Sequence, residues 1–364
     1  MKIIHRYVLK EVISSFAFGF LFFNFILFIG VIFELMELIF IENIPVLRVG
    51  KLVLFKVPAF FDIVIPVSVL FAALLSFGRL SSDGEITALR SSGVSLLQVG
   101  TPLLAFALSL TLISLYFSAY LTPWCNQRYK ETYYRILLER PTLQIKERTI
   151  TDLKGKKLYT YHLNPESYEM EEIVIYEFLP GRVHRFPQLT LAKKGKFTGK
   201  TLQLKDVTVY RIGENYRITQ RGKFSSQTIY LDKQISRPGI REKATEEMDL
   251  RELGKRLKEE RIKERPNEEK IRKLAVDFHT RIAIPLATLF IALLAIPLGI
   301  KLGRGEKSIS LGISLLIIII YYLLLLAGQF LGKGGIISPF LAIWLPNLLI
   351  TAGAIWLNLR IIKL

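Results

Sequence analysis

The sequence predicts a membrane-spanning α-helical bundle of six helices, with an all-β, jellyroll-like domain inserted between the third helix and the fourth. Two observations predict this fold class. Six long apolar stretches are divided three and three by a polar block of about 150 residues. Short segments of alternating apolar and polar residues, separated by turn residues, fill most of that block.

Each of the six apolar stretches is long enough to cross a bilayer, which takes about 20 residues in a helix. We expect helices because a segment inside a bilayer must satisfy its own backbone hydrogen bonds. The stretches cover residues 12–33, 52–78, 91–127 (with an apolar centre at 99–121), 282–300, 308–332 and 334–359. The last two are separated only by Lys333 and glycines, which predicts a helical hairpin. The first stretch is too long for a signal peptide, and no small-residue cleavage site follows it.

Lysine and arginine in the short loops predict the orientation of the bundle. One side carries most of them: Lys2, Arg6, Lys10, Arg79, Arg90, Lys301, Arg304, Lys307, Arg360 and Lys363. The first and fifth loops, on the other side, carry only Arg48, Lys51 and Lys333. We therefore expect both termini in the cytoplasm and the inserted domain outside, which means the periplasm in a bacterium with two membranes.

The polar block is basic. Residues 124–281 hold 35 basic and 23 acidic side chains, a surplus of +12 within the net charge of +18. A basic surface attracts polyanions, and outside a membrane an anionic lipid or phosphorylated glycolipid is a better candidate than nucleic acid. A solvated charged face, as in thermophilic proteins, is the alternative. Cys125 is the only cysteine, so no intrachain disulfide is expected.

Residues 141–235 have the alternating pattern of short β-strands. The alternation changes phase once, at Lys205-Asp206, between the apolar positions Leu204 and Val207. Turn signals separate the strands, so we expect a sandwich or a jellyroll-like pair of sheets. From residue 248 to about 273 the pattern becomes helical and predicts either a solvated connector or a docking surface.

The loop between the second and third spans has the most specific local pattern. Ser82 and Glu85 have the spacing of a capping box, and Gly93 can end a helix in the left-handed conformation. These signals predict a cytoplasmic helix of about ten residues, over about 82–93. Such a helix either receives force from a soluble motor or packs on its own bundle as an ordinary loop helix. The residues that would couple to a motor are Glu85, Ile86, Leu89 and Arg90.

Residues 1–11 predict an interfacial helix that leads into the first span. Lys2, Arg6 and Lys10 lie four apart on one stripe, and apolar residues line the opposite side. Membrane anchoring accounts for this pattern.

Two charged residues, Lys56 and Asp62, interrupt the second span, where charges are costly and therefore informative. Lys56 lies at the interface if the helix begins near Pro58; otherwise it can line a polar path or contact an anionic substrate. Asp62 lies between Pro58 and Pro66, about one turn into the membrane. It too can line a polar path or contact an anionic substrate.

We expect no cofactor in this chain, and any ATP and Mg²⁺ to be bound by a partner. The segment 303–308 resembles a P-loop only superficially, because the Gly-Lys-Ser/Thr ending and the preceding strand are missing. The polar block has no His/Cys cluster, no paired acid and base and no nucleophile motif. These observations argue against a metal site and against an enzyme.

Several segments together resemble one family of transport proteins. The segments are IIHRY (3–7), VP (57–58), IP (65–66), GRL (78–80), EITALRSSGVS (85–95), TPW (122–124) and AIPLG (295–299). With the arrangement of spans they resemble the LptF/LptG (YjgP/YjgQ) permeases of the lipopolysaccharide export ABC transporter, and the 85–95 and Trp124 regions are closer to LptF. The resemblance covers essentially the whole chain.

The resemblance implies a function and partners. Two related permease subunits would form a heterodimer, bound to two copies of a cytoplasmic ATPase that receives the helix around Glu85. The first, second and fifth spans would line a cavity that takes lipopolysaccharide from the outer leaflet of the inner membrane. The jellyroll domain would pass the lipid to a periplasmic bridge protein of similar fold.

The same resemblance implies three regions and a lipid site. Residues 1–123 would hold the first three spans, 124–277 the periplasmic domain with its helical connectors, and 278–364 the last three spans. The outer end of the first span carries Glu34 and Glu37, where family members tend to carry basic residues. The candidate lipid contacts are therefore Lys51, Lys56, Asp62 and Phe33. The alternative is a membrane scaffold whose β domain binds a partner without transport.

Overall fold

The computed structural model describes residues 2–40, 44–139, 148–152, 156–164, 169–177, 188–198, 201–212, 218–230, 243–303 and 307–362. They form two compact units. The first comprises Met1–Leu35, Val53–Arg128 and Lys243–Leu364, and the second comprises Met36–Leu52 and Tyr129–Glu242.

Nine α-helices are present in the described residues. They are α1 (Lys2–Phe40), α2 (Val46–Ser82), α3 (Glu85–Ser91), α4 (Leu96–Tyr116), α5 (Thr122–Glu139), α6 (Leu250–Ile262), α7 (Glu268–Leu302), α8 (Lys307–Gly334) and α9 (Pro339–Ile362). A π-helical turn, Phe117–Leu121, joins α4 to α5 without a break. Six helical segments are long and apolar enough to cross a membrane: α1, α2, α4 continued into α5, α7, α8 and α9. The predicted helical bundle is therefore confirmed.

Helices α2 and α7 form the centre of the helical unit. Their most apolar segments are 72% and 56% buried, against 17–33% for the other four spans. Small residues allow close contacts around them, as is common between helices in membranes. A Cβ atom at Gly100 of α4 would lie 2.7 Å from the Ile296 side chain, and one at Gly299 would lie 3.1 Å from the Ala73 carbonyl oxygen.

The segment before the fourth span folds as its apolar pattern predicts. Asp249 caps α6 by accepting a hydrogen bond from the Glu252 backbone N–H at 2.7 Å. Leu253 and Leu257 are buried on one face of α6. Helix α7 begins at Glu268, after Pro266, and runs without a break across the predicted regional boundary at 277/278.

The inserted β domain is confirmed. Its strands are β1 (Thr151–Asp152), β2 (Lys156–Leu163), β3 (Glu169–Glu177), β4 (Gln188–Thr198), β5 (Thr201–Ile212) and β6 (Ile218–Tyr230). The described strands form one antiparallel sheet in sequential order, rather than the expected pair of sheets. Short connections favour this order, because consecutive strands joined by few residues pair as neighbours, and four of the five connections have five residues or fewer. Several of the predicted turns lie outside the described residues.

The alternation of buried and exposed residues is interrupted at the same level in three neighbouring strands of the sheet. Asp206 in β5 and Glu172 in β3 have φ angles of 53° and 51°, in the left-handed region. In regular alternation, successive buried positions are two residues apart. Here they are three apart in β3, β4 and β5: Met170 and Ile173, Ala192 and Gly195, Leu204 and Val207. The predicted change of phase at Lys205-Asp206 is thus confirmed. Because the strands shift together, one face of the sheet stays apolar throughout.

Candidate lipid cavity and coupling helix

The short helix α3 is shorter than predicted and begins differently. Ser82 does not cap it; this serine is the last residue of α2, and its hydroxyl donates to the Arg79 carbonyl oxygen at 3.0 Å. Gly84 precedes α3 in the left-handed conformation, with φ of 73° and no side-chain cap. The predicted capping box was therefore wrong, because Gly84 turns the chain between two helices and α3 starts only at Glu85.

The end of α3 is as predicted. Gly93 has a φ of 84°, the left-handed conformation that glycine adopts without steric cost. Its backbone N–H donates to the Arg90 carbonyl at 2.9 Å, and the N–H of Val94 donates to the Leu89 carbonyl at 3.0 Å. These two bonds form a Schellman motif, which fixes the C-terminus of the helix.

The apolar face of α3 packs on the bundle. Ile86 is only 4% exposed, and Leu89 is partly buried against the same apolar core. Arg90 is exposed. Of the four predicted coupling residues, Ile86 and Leu89 therefore attach the helix to its own subunit, while Glu85 and Arg90 lie nearer the surface.

Glu85 takes part in a polar network that joins α3 to the first two spans. The Tyr7 hydroxyl donates to Glu85 Oε1 at 3.0 Å, and Arg79 Nη2 donates to the Tyr7 hydroxyl oxygen at 3.1 Å. Arg79 Nη2 also lies 3.1 Å from Glu11 Oε2. Each carboxylate thus faces a donor, and the network ties the start of α1 to the end of α2 and the start of α3. We call these four residues the coupling network.

An apolar cavity of about 590 Å³ lies between α1 and α2. Its lining is almost entirely aromatic and aliphatic: Phe18, Leu21, Phe22, Asn24, Phe25, Phe28, Val57 and Phe60. The one polar residue, Asn24, donates its side-chain N–H to the Phe20 carbonyl of its own helix at 2.9 Å. Phe25 is 62% exposed in the chain. The cavity therefore offers an open apolar surface on a membrane-spanning helix.

Lys56 lies next to Val57 of the cavity lining, and its Nζ is 3.6 Å from Glu34 Oε1 on α1. Both side chains are partly exposed, so an ion pair of this kind contributes roughly 0–1 kcal/mol. Phe33 is 68% exposed on α1 and is not among the cavity-lining residues. Lys51 is exposed near the start of α2, within the second compact unit.

Asp62 has a different environment from the other predicted lipid contacts. Tyr322 of α8 donates to the Asp62 carbonyl oxygen at 2.7 Å, and Arg281 of α7 is close enough to interact electrostatically with the carboxylate. Arg281 also donates hydrogen bonds to the carbonyls of Thr245 and Met248. Asp62 is therefore placed among helices of the bundle, and it does not line the cavity.

Comparison with known proteins identifies the family. The model of the family described as lipopolysaccharide export system permease LptF/LptG matches residues 6–360. The chain belongs to the LptF/LptG family. No curated protein matches the chain. As a member of this family it is an inner-membrane permease subunit of lipopolysaccharide export and a transport protein rather than an enzyme. The match does not separate LptF from LptG, so the closer resemblance to LptF stays a prediction.

Most of this permease's cavity and part of its coupling network were not predicted from the sequence. The phenyl rings of α1 recur at positions 18, 22, 25 and 28, the spacing of one helical face. That stripe could have located the cavity. Tyr7 and Glu11 gave no local signal, because the groups they contact lie about 70 positions further along the sequence.

Proposed function

We propose that this permease subunit takes lipopolysaccharide from the outer leaflet of the inner membrane and passes it to a periplasmic bridge protein. A cytoplasmic ATPase dimer, docked on α3, would drive the cycle, and a related permease subunit would complete the pathway. The proposal includes the orientation in which both termini are cytoplasmic, which the distribution of Lys and Arg supports.

The phenyl-lined cavity between α1 and α2 is the observation that carries this proposal. Acyl chains that move from the bilayer into such a cavity exchange one apolar environment for another. The hydrophobic effect therefore gives little net binding energy, and side-chain packing must hold the lipid. A cavity of this kind retains its cargo weakly and can release it, as a transporter requires.

Among the described residues of the helical unit, Lys56 is a well-placed basic group for contact with a phosphorylated headgroup. It directly precedes Val57 of the cavity lining, and it pairs with the partly exposed carboxylate of Glu34 at 3.6 Å. A phosphate group carries more charge than a carboxylate and can compete for Lys56. Lipopolysaccharide photocrosslinking from a probe at position 56 tests this contact; adducts elsewhere in the cavity but none at 56 would exclude it. Lys51 remains a second candidate.

The exposed part of α3 is the proposed docking surface for the ATPase. Ile86 and Leu89 are occupied by the bundle, so a partner would contact Glu85, Arg90 and the exposed Thr87. Force applied to α3 would reach α1 and α2 through the coupling network. Helix α1 continues without a break from Tyr7 to Phe28, and so joins the network to the cavity.

The β domain supports transfer to a bridge protein of similar fold. Within the described residues β6, thirteen residues long, pairs only with β5 and so forms an edge of the sheet. An edge strand presents unpaired backbone N–H and C=O groups, to which a strand of another protein can add. A lipid could then pass from one apolar sheet face to the next.

Charge reversal at Glu85 tests the coupling directly. In the reconstituted complex of both permease subunits and the ATPase, we expect Glu85→Lys to abolish lipid-stimulated ATP hydrolysis and export. Asp83→Lys is the matched control, because Asp83 is an exposed acidic residue two positions away. Unchanged hydrolysis and export in Glu85→Lys would exclude α3 as the coupling element. A complex with unsubstituted Glu85 that neither hydrolyses ATP in response to lipid nor exports it would instead favour a scaffold that does not transport.

A further inference from the structure

A second groove lies between the first turns of α1 and α4, separate from the cargo cavity. It encloses about 570 Å³. Two basic residues and several apolar and hydroxyl side chains line it: His5, Arg6, Leu9, Ile13, Thr101, Pro102, Ala105, Phe106 and Ser109. It shares no residue with the cavity between α1 and α2. Membrane anchoring by the basic stripe of α1 does not by itself explain a groove of this composition.

The groove is basic at one end and apolar along its length. His5 and Arg6 lie at the start of α1, Ile13 lies about two turns further along the same helix, and Phe106 is partly buried on α4. Eight residues of helix separate positions 5 and 13, a length of about 12 Å. This length fits a phosphate-bearing headgroup followed by the upper part of an acyl chain.

No acidic residue lines the groove, so a phosphate there would meet no repulsion from the lining. The nearest carboxylate along α1, Glu11, is engaged with Arg79. Thr101 and Ser109 donate their hydroxyl hydrogens to carbonyls of α4, at 2.9 Å and 2.7 Å, so Arg6 and His5 supply the donors for a phosphate. The charge of the groove is therefore complementary to an anionic lipid.

We infer that this groove binds an anionic glycerophospholipid of the cytoplasmic leaflet, with its phosphate on Arg6 and His5 and an acyl chain along Leu9, Ile13 and Phe106. The cargo is not the expected occupant. In the proposed orientation, on which this inference rests, the groove opens toward the cytoplasmic leaflet, while lipopolysaccharide is taken from the outer one.

A lipid in this groove would also act on the coupling network. Helical periodicity places Tyr7 and Glu11 on the side of α1 opposite to the groove-lining positions 5, 6, 9 and 13. The first turns of α1 thus lie between the groove and the network. A bound lipid would hold these turns in place and keep Tyr7 within hydrogen-bonding distance of Glu85.

Photocrosslinking from position 105 in the full complex tests the inference. A photoreactive amino acid replaces Ala105, which lines the groove and is exposed. The complex is reconstituted in vesicles of zwitterionic phospholipid alone or with anionic phosphatidylglycerol. We expect an adduct with phosphatidylglycerol that becomes about fivefold weaker in Arg6→Gln, the effect of one basic residue near an anionic surface. Lys10→Gln is the matched control, because Lys10 is exposed on α1 but does not line the groove.

Four outcomes would overturn the inference: equal adducts with zwitterionic lipid, an adduct insensitive to Arg6→Gln, an adduct with another polypeptide, or an adduct with lipopolysaccharide.

ATP hydrolysis and export are measured in parallel on complexes that keep Ala105. If those activities persist while the phospholipid adduct is absent, the groove assignment fails and the proposed transport function stands. If the adduct forms while Glu85→Lys leaves export unchanged, the groove assignment stands and the coupling assignment fails.

Discussion

The Tyr7 hydroxyl donates a hydrogen bond to Glu85 Oε1 at 3.0 Å, across 78 positions of sequence. Tyr7 lies on the helix that lines the apolar cavity, and Glu85 begins the short helix that would meet the motor. Arg79 reinforces the pair by donating to the Tyr7 hydroxyl oxygen at 3.1 Å. One contact thus connects the element that would receive force with the element that would hold cargo.

Removal of the Tyr7 hydroxyl should weaken this connection and leave ATPase docking intact. A hydrogen bond to a charged group contributes about 1.5–3 kcal/mol, and the partial exposure of this pair favours the lower value. We expect Tyr7→Phe to co-purify with the ATPase but to show several-fold less lipid-stimulated ATP hydrolysis. Tyr116→Phe is the control, because Tyr116 is an exposed tyrosine of a different helix. Equal stimulation in both variants would show that Tyr7 does not transmit force.

The charges of Asp62 and Arg281 should stabilise the bundle. Loss of Arg281 removes the basic group that acts on the Asp62 carboxylate, at a cost of about 1–3 kcal/mol. Loss of Asp62 costs less, because Asp277, Asp249 and Glu246 also act on Arg281. We expect Arg281→Gln to lower the midpoint of thermal unfolding in detergent, and the double variant Asp62→Asn/Arg281→Gln to lose less than the sum of the changes in the two single variants. Strictly additive losses would show that the two groups do not interact. A direct lipid contact at Asp62 predicts instead a lipopolysaccharide adduct from a probe at position 62.

The hairpin of α8 and α9 should depend on one glycine. A Cβ atom at Gly328 would lie 2.1 Å from the Ala342 carbonyl oxygen, so any side chain there forces the two helices apart. We expect Gly328→Ala to reduce stability by about 1–3 kcal/mol. Gly312→Ala on the same helix is the control, since nothing lies within 4 Å of a Cβ atom there. That variant should be neutral or slightly stabilising, as alanine is favoured over glycine in a helix. Similar loss of stability in both variants would contradict the close contact.

The spans and strands could be predicted because their signals are local. Continuous apolar stretches of sufficient length identify membrane helices, and the shift from Leu204 to Val207 identified an irregular strand. The start of α3 could not be predicted correctly, because the capping-box spacing of Ser82 and Glu85 competed with a left-handed Gly84. The choice between them depends on where α2 ends, which packing decides.

The candidate site was less predictable than the fold. The sequence identified Glu85 and Lys56 as charged residues in informative places, but their partners Tyr7 and Glu34 lie on another helix. Ile86 was one of the four predicted coupling residues, and packing on the bundle was the alternative left open for its helix. Its side chain packs on the bundle, since a short amphipathic helix buries its apolar face against the nearest apolar surface. The order of strands in the sheet likewise follows from pairing, which the alternation of residues does not specify.

Site-specific photocrosslinking from Phe25 tests the central claim most directly. Phe25 lines the cavity between α1 and α2, while Ile355 is similarly exposed on α9. With a photoreactive amino acid at each position in turn, we predict a lipopolysaccharide adduct at 25 that decreases when ATP is hydrolysed, and none at 355. Equal adducts at the two positions, or no adduct at 25 in a complex that exports lipopolysaccharide, would contradict the account.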